Sequence, residues 1–528
     1  MSKSNAAART GGRSISRRSF MKATAAIGMG AAAWPLAAGA VRAATPKRGG
    51  VLRIAVGHGN STDSYDPAQF IGGFMQCFSF ARYNCLTEIA PDGSLRPELA
   101  ESWEPSADAR TWIFHIRKGV EFQNGKPLTA SDVVASINHH RGPESQSAMK
   151  PVVDQISEIR EDGSSRVVVT LVNGSADFPY TLADYHMVIC PSVDGKLDWQ
   201  SGIGTGGYQV QEFEPGVRAA LTRNPNYWKP DAAYFDGVEL SAITDSTART
   251  AALLGGQVDV MDRVPFNTAA MLQAQQGVQI EEVLGSQHYT FAMDTRAAPF
   301  ADNNVRLALK YAVNRQELVN TVLAGHGRVG NDQPIGPAYR YYAADLEQRE
   351  YDPEKARYHL KQAGLDRLEI SLSASDAAFA GAVDAAVLYR EHASKAGIDI
   401  TVVREPADGY WSDVWMKKPF SAVFWRGRPT EDWFFSTVYA TGAPWNDTFW
   451  DHPRFNEVLA AARVELDESR RATMYAELQQ LVRDEGGAII PMFANYVSAS
   501  SSKVRHHEQV AASDDLDGMR LTERWWFD

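Results

Sequence analysis

Hydrophobic and polar positions alternate along this chain in short, well-separated blocks. Val51-Leu52-Arg53-Ile54-Ala55-Val56 stands between Gly50 and Gly57 and predicts a first strand. Thr111 to Arg117 and Arg166 to Leu171 alternate apolar with polar residues and predict half-buried strands. Between them, Thr129-Ala130-Ser131-Asp132 opens a run in which Val133 and Ile137 recur at helical spacing, with Thr129 as N-cap. Asn304 to Val313 and Asp467 to Arg483 predict two further helices by the same test. Strands and helices mix throughout, so the expected fold class is α/β with mixed sheets.

Size and charge narrow the function. The 528 residues are 44% apolar, and because single cores stop growing at about 250–300 residues, two or three lobes are expected. A formal charge of −11 disfavours nucleic acid as a partner, since phosphate contacts need a basic surface. Near the start, Ser16-Arg17-Arg18-Ser19-Phe20-Met21-Lys22 precedes an apolar run from Ala23 to Ala40 and then Val41-Arg42-Ala43. This pattern predicts a twin-arginine signal over residues 1–43, cut after Ala43, with the twin-arginine translocase as a partner and the periplasm as destination. The run is short for a bilayer span and is broken by Pro35. Without these 43 residues, which hold seven basic side chains and no acid, the charge moves from −11 to −18.

Several patterns that carry chemistry elsewhere lack their context. Gly202-Ile203-Gly204-Thr205-Gly206-Gly207 fits a dinucleotide fingerprint in letters, but Tyr208-Gln209-Val210-Gln211 after it alternates like a strand rather than opening a helix. There is no phosphate-binding G-x-x-x-x-G-K-[ST], which argues against ATP hydrolysis by this chain, and neither G-x-S-x-G nor H-E-x-x-H occurs. His139-His140 and His506-His507 are adjacent, and neighbours on a strand or helix point apart, so neither is a ready metal site. The expectation is a non-enzyme with no metal and no cofactor, against the rival of an exported hydrolase, for which no nucleophile–base pair stands out. Cys77, Cys85 and Cys190 form no C-x-x-C and read as small core residues; a Cys77–Cys85 bridge stays open.

A further set of segments carries a resemblance. Leu86 to Trp103, with Asp92-Gly93 and Pro97-Glu98-Leu99-Ala100-Glu101-Ser102-Trp103, is followed by Phe114-His115-Ile116-Arg117-Lys118-Gly119-Val120 and by Asn124-Gly125-Lys126-Pro127-Leu128-Thr129-Ala130-Ser131-Asp132-Val133. Then come Gly204-Thr205-Gly206-Gly207-Tyr208, Arg223-Asn224-Pro225-Asn226-Tyr227-Trp228, Pro299 to Arg306 and Tyr351-Asp352-Pro353-Glu354-Lys355-Ala356. In this order they resemble family 5 of the extracellular solute-binding proteins of ABC transporters, the dipeptide, oligopeptide and nickel type. The resemblance implies a two-lobed periplasmic binding protein (type II, cluster C) with an extra domain in the first lobe. Its divisions would be domain I at 44–85, 204–287 and 491–528, domain II at 86–203, and the second lobe at 288–490. It also implies a monomer that captures a small-molecule ligand and delivers it to membrane permease subunits served by separate ATPase subunits.

The same resemblance directs attention to Val423-Phe424-Trp425-Arg426-Gly427-Arg428-Pro429-Thr430-Glu431-Asp432-Trp433. In peptide-binding relatives the similar stretch has an aspartate that pairs with the peptide ammonium; aligned on Trp425, that place holds Arg428. A guanidinium fork matches carboxylate or phosphate, so Arg428, with Arg426, is expected to receive an anionic group. The ligand classes that fit are a modified peptide, an opine or sugar-phosphate conjugate, or a polycarboxylate chelate, with an ordinary di- or oligopeptide as the alternative. Two other arrangements compete: the arginines could pair with Glu431 or Asp432 and only shape the loop, or a one-residue slip could give one of those acids the aspartate's role. Trp425, Trp445 and Trp411 are candidate aromatic walls and Asn446 a candidate amide donor. Tyr83, Asn84 and Tyr208 are the candidates on the opposite lobe, and His288 the candidate at the crossover.

Overall fold

The computed structural model describes residues 46–528. The expected export signal at 1–43 lies outside them. Three main sheets organise the chain, each with its own apolar core.

The first is seven-stranded, in the order Tyr208–Glu214, Arg218–Arg223, Gly237–Ala242, Val51–Val56, Val260–Met261, Tyr496–Ser501, Val278–Val283. Val51–Val56 runs parallel to both of its neighbours, while Tyr496–Ser501 is antiparallel to its own two. Three distant stretches of chain therefore share one ladder. Leu52, Ile54, Phe74, Phe78, Leu240 and Trp525 fill the core beneath it.

The second sheet is antiparallel, in the order Ala100–Pro105, Thr111–Ile116, Arg166–Leu171, Ile156–Glu161. Its apolar face meets Val133 and Ile137 of the helix Ala130–His139. The Asp132 carboxylate accepts the Thr129 backbone N–H at 2.9 Å, which satisfies a donor at the helix start. The third sheet is six-stranded, in the order Gly327–Val329, Ala488–Ala494, His288–Met293, Phe420–Trp425, Leu368–Ala374, Ile398–Arg404. Its last two strands are parallel and joined through the helix Ala382–Ser394, a connection that parallel pairing requires.

The chain crosses between the seven- and six-stranded sheets twice, between Val283 and His288 and again at Asn495. The second crossing differs from the expectation of Pro491. Pro491 lies inside the buried strand Ala488–Ala494, whose pairing with His288–Met293 shifts register between Tyr289 and Phe291. The irregularity absorbs the residue that cannot donate, so the ladder continues past the proline instead of ending there. The two crossing segments lie so close that a β-carbon on Gly285 would collide with the Ala494 carbonyl.

Helices begin where their caps stand: Asp302 caps Asn303–Tyr311 and Asp467 caps Glu468–Glu485. Gly202 to Gly207 leads into the strand Tyr208–Glu214, not into a helix. Cys77, Cys85 and Cys190 are all free and buried. No helix among the described residues is long and apolar enough to cross a membrane.

Candidate ligand cleft

A cavity of about 1870 Å³ lies between the lobes. Gln76, Phe80, Tyr185 and His186 line it from the first lobe, and Tyr339, Arg426, Arg428 and Trp445 from the second. The loop that bears the arginines runs from the end of the strand Phe420–Trp425 to the helix Glu431–Val438.

Three local features hold that loop. Thr430 caps the helix, its hydroxyl oxygen accepting the Trp433 N–H at 3.2 Å. Tyr339 Oη accepts the Arg428 backbone N–H at 2.9 Å. A β-carbon on Gly427 would overlap the Ser286 hydroxyl, so only glycine lets the loop lie against the crossover segment.

The two arginines are held differently. Arg426 Nη2 lies 3.4 Å from Asp514 Oδ2, across the lobes. Burial is the largest single influence and works against its charge, but Asp514 together with Tyr496, Asp515 and Tyr185 raises its pKa overall. The Arg428 guanidinium instead donates to the Arg426 and Gly427 carbonyls, at 3.3 Å each, and its carbon lies 5.6 Å from the Trp445 ring centre. Burial pulls its pKa below the usual value.

Every other cleft arginine has a carboxylate. Arg340 pairs with Glu468, Arg471 with Asp177 at 2.6 Å, Arg520 with Glu98 at 3.1 Å and Arg524 with Glu88 at 2.6 Å. Among the described residues, Arg428 forms no ion pair. Nor do the neighbouring acids compensate it. Glu431 accepts the Tyr341 N–H at 2.7 Å, and Asp432 pairs with Arg463 at 3.1 Å.

The remaining sequence candidates fall away from the cavity wall. Trp425 is buried beneath Trp445, with ring centres 6.3 Å apart. Trp411 is exposed and packs on Trp415 and Phe424, outside the cavity. The Asn446 amide donates to the Ala440 and Trp450 carbonyls at 3.3 and 2.8 Å, holding its own turn. Asn84 spends both ends on Glu98, Tyr227, Thr205 and Trp228. Tyr83 is wholly buried, and Tyr208 donates its hydroxyl to the Thr522 carbonyl at 2.9 Å. His288 is caged between Phe434 and Phe493, where burial pushes it down to about 3 and keeps the imidazole neutral. Loop position and polar type suggested Trp425 and Asn446, and the family resemblance suggested Tyr83, Asn84 and Tyr208; which face of the element each occupies was not encoded in either.

The structure adds Ser286, Tyr339, Tyr185, His186 and Asp514, which sequence reasoning passed over. Gly427 between two arginines was the available signal for a close approach, but its partner Ser286 lies 141 positions earlier. One acidic cluster invites a metal reading: oxygens of Glu88, Glu98 and Glu523 lie within 4.8 Å of one another. Lys229 Nζ already sits among them, at 2.8, 2.9 and 2.7 Å. An ammonium therefore performs the charge balancing that a cation would supply.

Comparison with known proteins agrees with this architecture. The family described as bacterial extracellular solute-binding proteins, family 5 Middle, matches residues 94–447. The dipeptide-binding protein of Escherichia coli K12 is 27% identical over 477 residues, covering 81% of this chain and 87% of the relative. The glutathione-binding protein GsiB of Salmonella choleraesuis is 24% identical over 467 residues, covering 85% and 91%. Among solved structures, the periplasmic binding protein AgaA of A. tumefaciens R10 in complex with agropinic acid superposes with a TM-score of 0.72 at 22% identity, covering 91% of this chain and 99% of that one. The chain belongs to the family 5 extracellular solute-binding proteins, the substrate-binding components of ABC importers.

Proposed function

We propose that this protein is the periplasmic receptor of an ABC importer for a small anionic solute, and that Arg428 receives the anion. The observation that carries the reading is the charge pattern of the cleft. Each of its other arginines is matched by a carboxylate, and Arg428 is not. A partly buried guanidinium with only carbonyl partners leaves donors for a carboxylate or phosphate. Trp445, 42% exposed on the same wall, offers a flat apolar face beside it.

The solute class follows from this: a modified peptide, an opine or sugar-phosphate conjugate, or a polycarboxylate chelate. Glutathione and agropinic acid, named with two of the similar proteins, are both acids. After export by the twin-arginine route and cleavage near Ala43, the monomer would close on the solute and dock on permease subunits that have separate ATPases. Closure follows only from a solute that prefers the closed state.

Native mass spectrometry of protein isolated from its own periplasm should show an intact co-purified acid. Isothermal titration with glutathione and agropinic acid then compares wild type with Arg428→Ala. Truncating one partner of a buried charge pair costs about 2–5 kcal/mol, so affinity should fall at least tens of fold. Unchanged affinity in Arg428→Ala refutes the assignment.

A further inference from the structure

Around the start of the helix Glu431–Val438 the charges can be counted in pairs. Asp177 meets Arg471 at 2.6 Å, Asp432 meets Arg463 at 3.1 Å, and Glu468 pairs with Arg340. Three acids and three arginines cancel. Glu431 is left over: among the described residues it forms no ion pair.

Glu431 is 3% exposed and lines the cavity. One carboxylate oxygen, Oε1, accepts the Tyr341 N–H at 2.7 Å. The other, Oε2, has no hydrogen-bond partner among the described residues, nor is it sealed from solvent, so what exposure it keeps is to the cavity. An ionised carboxylate is acceptor-only, and leaving half of it unpaired in a buried wall is costly. Burial is the largest influence on this carboxyl and pushes it up to about 7; a cation at Oε2 would act in the opposite direction. The surroundings indicate which cation. Burial raises the hydroxyls of Tyr180 and Tyr339, and the Glu431 charge adds to both, which places two cavity-lining rings near the carboxylate. An acid beside aromatic faces suits an ammonium, through its charge and through the rings.

We propose that Glu431 receives a protonated amine of the solute, so that the cargo is an acid that also carries an ammonium group. One short segment fixes both receivers: Tyr339 Oη accepts the Arg428 N–H, and the Tyr341 N–H donates to Glu431. The cleft's unpaired guanidinium and this unpaired carboxylate therefore stand three positions apart on one loop, and they act together, the acid of the solute on Arg428 and its amine on Glu431. Of the solute classes proposed above, a modified peptide or an opine with a free amine carries both groups. A plain polycarboxylate or sugar phosphate lacks the second and would leave Glu431 unpaired. This inference rests on the reading of the cleft as the solute site, with Arg428 as its anion receiver.

Isothermal titration compares two amine-bearing acids, glutathione and glutamylalanine, with their N-acetyl forms, which keep the carboxylates and lose the ammonium. Wild type should bind at least one of the two acids, and bind it at least about tenfold more tightly than its N-acetyl form. Glu431→Gln keeps a carbonyl oxygen for the Tyr341 N–H but removes the charge. It should weaken the amine-bearing acid about tenfold and leave the N-acetyl form unchanged. Arg428→Ala should weaken both forms alike, so failure of the anion assignment and failure of the amine assignment are read from different comparisons. Equal wild-type affinity for the two forms overturns the proposal, as does absence of wild-type binding to both amine-bearing acids. So does a preference for the amine retained in Glu431→Gln; should that variant fail to fold, the wild-type comparison decides alone.

Discussion

Replacing Lys229 by methionine removes the ammonium that holds three acids together. Its Nζ lies within 3 Å of Glu88, Glu98 and Glu523, and the side chains of Glu98 and Glu523 are 0% and 6% exposed. Arg520 remains near Glu98 and Glu523 at 3.1 and 3.3 Å, and Arg524 near Glu88, so the loss is partial. Breaking a buried pair by deleting one partner costs about 3–5 kcal/mol. At about 2–4 °C per kcal/mol for units of 150–250 residues, the first unfolding transition should fall by roughly 6–20 °C at pH 7. The pH dependence has a fixed sign. Burial raises Glu88 and Glu523, but Lys229 is the largest opposing influence and both end below the usual carboxylate value. Their contribution is therefore complete above the unfolded value of about 4.3 and is lost as pH falls through the folded one. Lys229 itself is opposed by burial, but Glu523 and Glu98 hold it above its usual value, so its contribution persists throughout the neutral range. The deficit of Lys229→Met should be large at pH 7 and shrink in acid, where the carboxyls protonate. Differential scanning calorimetry across pH 4 to 8 measures both. Adding Glu98→Gln to Lys229→Met should restore part of the midpoint, since it removes a stranded charge. Equal midpoints for wild type and Lys229→Met at pH 7 would refute the charge argument, and failure of Glu98→Gln to help would assign the loss to packing instead.

Gly427→Ala should displace the Arg428 loop, since its β-carbon meets the Ser286 hydroxyl; affinity for the co-purified solute should fall with little change in melting, and Ser286→Gly should recover it in the double variant. Recovery absent, with the fold intact, would show that the loop position is set elsewhere. The thiols of Cys77 and Cys190 are each pushed up to about 12, chiefly by burial, and Cys85 is raised as well. Ellman's reagent at pH 8 should therefore find no reactive thiol until denaturant is added, and three afterwards; prompt reaction in the native state would contradict the burial.

Much of the fold could be read from local pattern because each such signal has a local cause. Thr129 with Asp132, and Asp467 before an amphipathic run, mark helix starts through hydrogen bonds spanning a few residues. Arg166 to Leu171 is a strand by its own side chains. The resemblance puts the second return at 491, and the irregular pairing that carries the ladder past Pro491 depends on a partner strand some 200 residues away. Nothing local records that partner.

The candidate site divides along the same line. Arg428 could be singled out because an alignment on Trp425 puts it at the place where the resemblance implies an aspartate, a difference visible in one residue. Tyr83, Asn84, Tyr208 and Asn446 have the chemistry of ligand contacts, yet their hydrogen-bonding groups or their burial commit them to the scaffold. A polar residue contributes to recognition only if its donors remain unspent, and that is an accounting over neighbours, not a property of residue type. By this accounting Arg426 and Arg428, two positions apart and of identical chemistry, have different roles. Arg426 is drawn toward Asp514 and ties the lobes, whereas Arg428 has only carbonyls and a ring. An anion entering the cleft gains a free guanidinium at Arg428 but must compete with Asp514 for Arg426. On the proposed reading, the cleft therefore selects a single well-placed negative group more strongly than it selects high total charge.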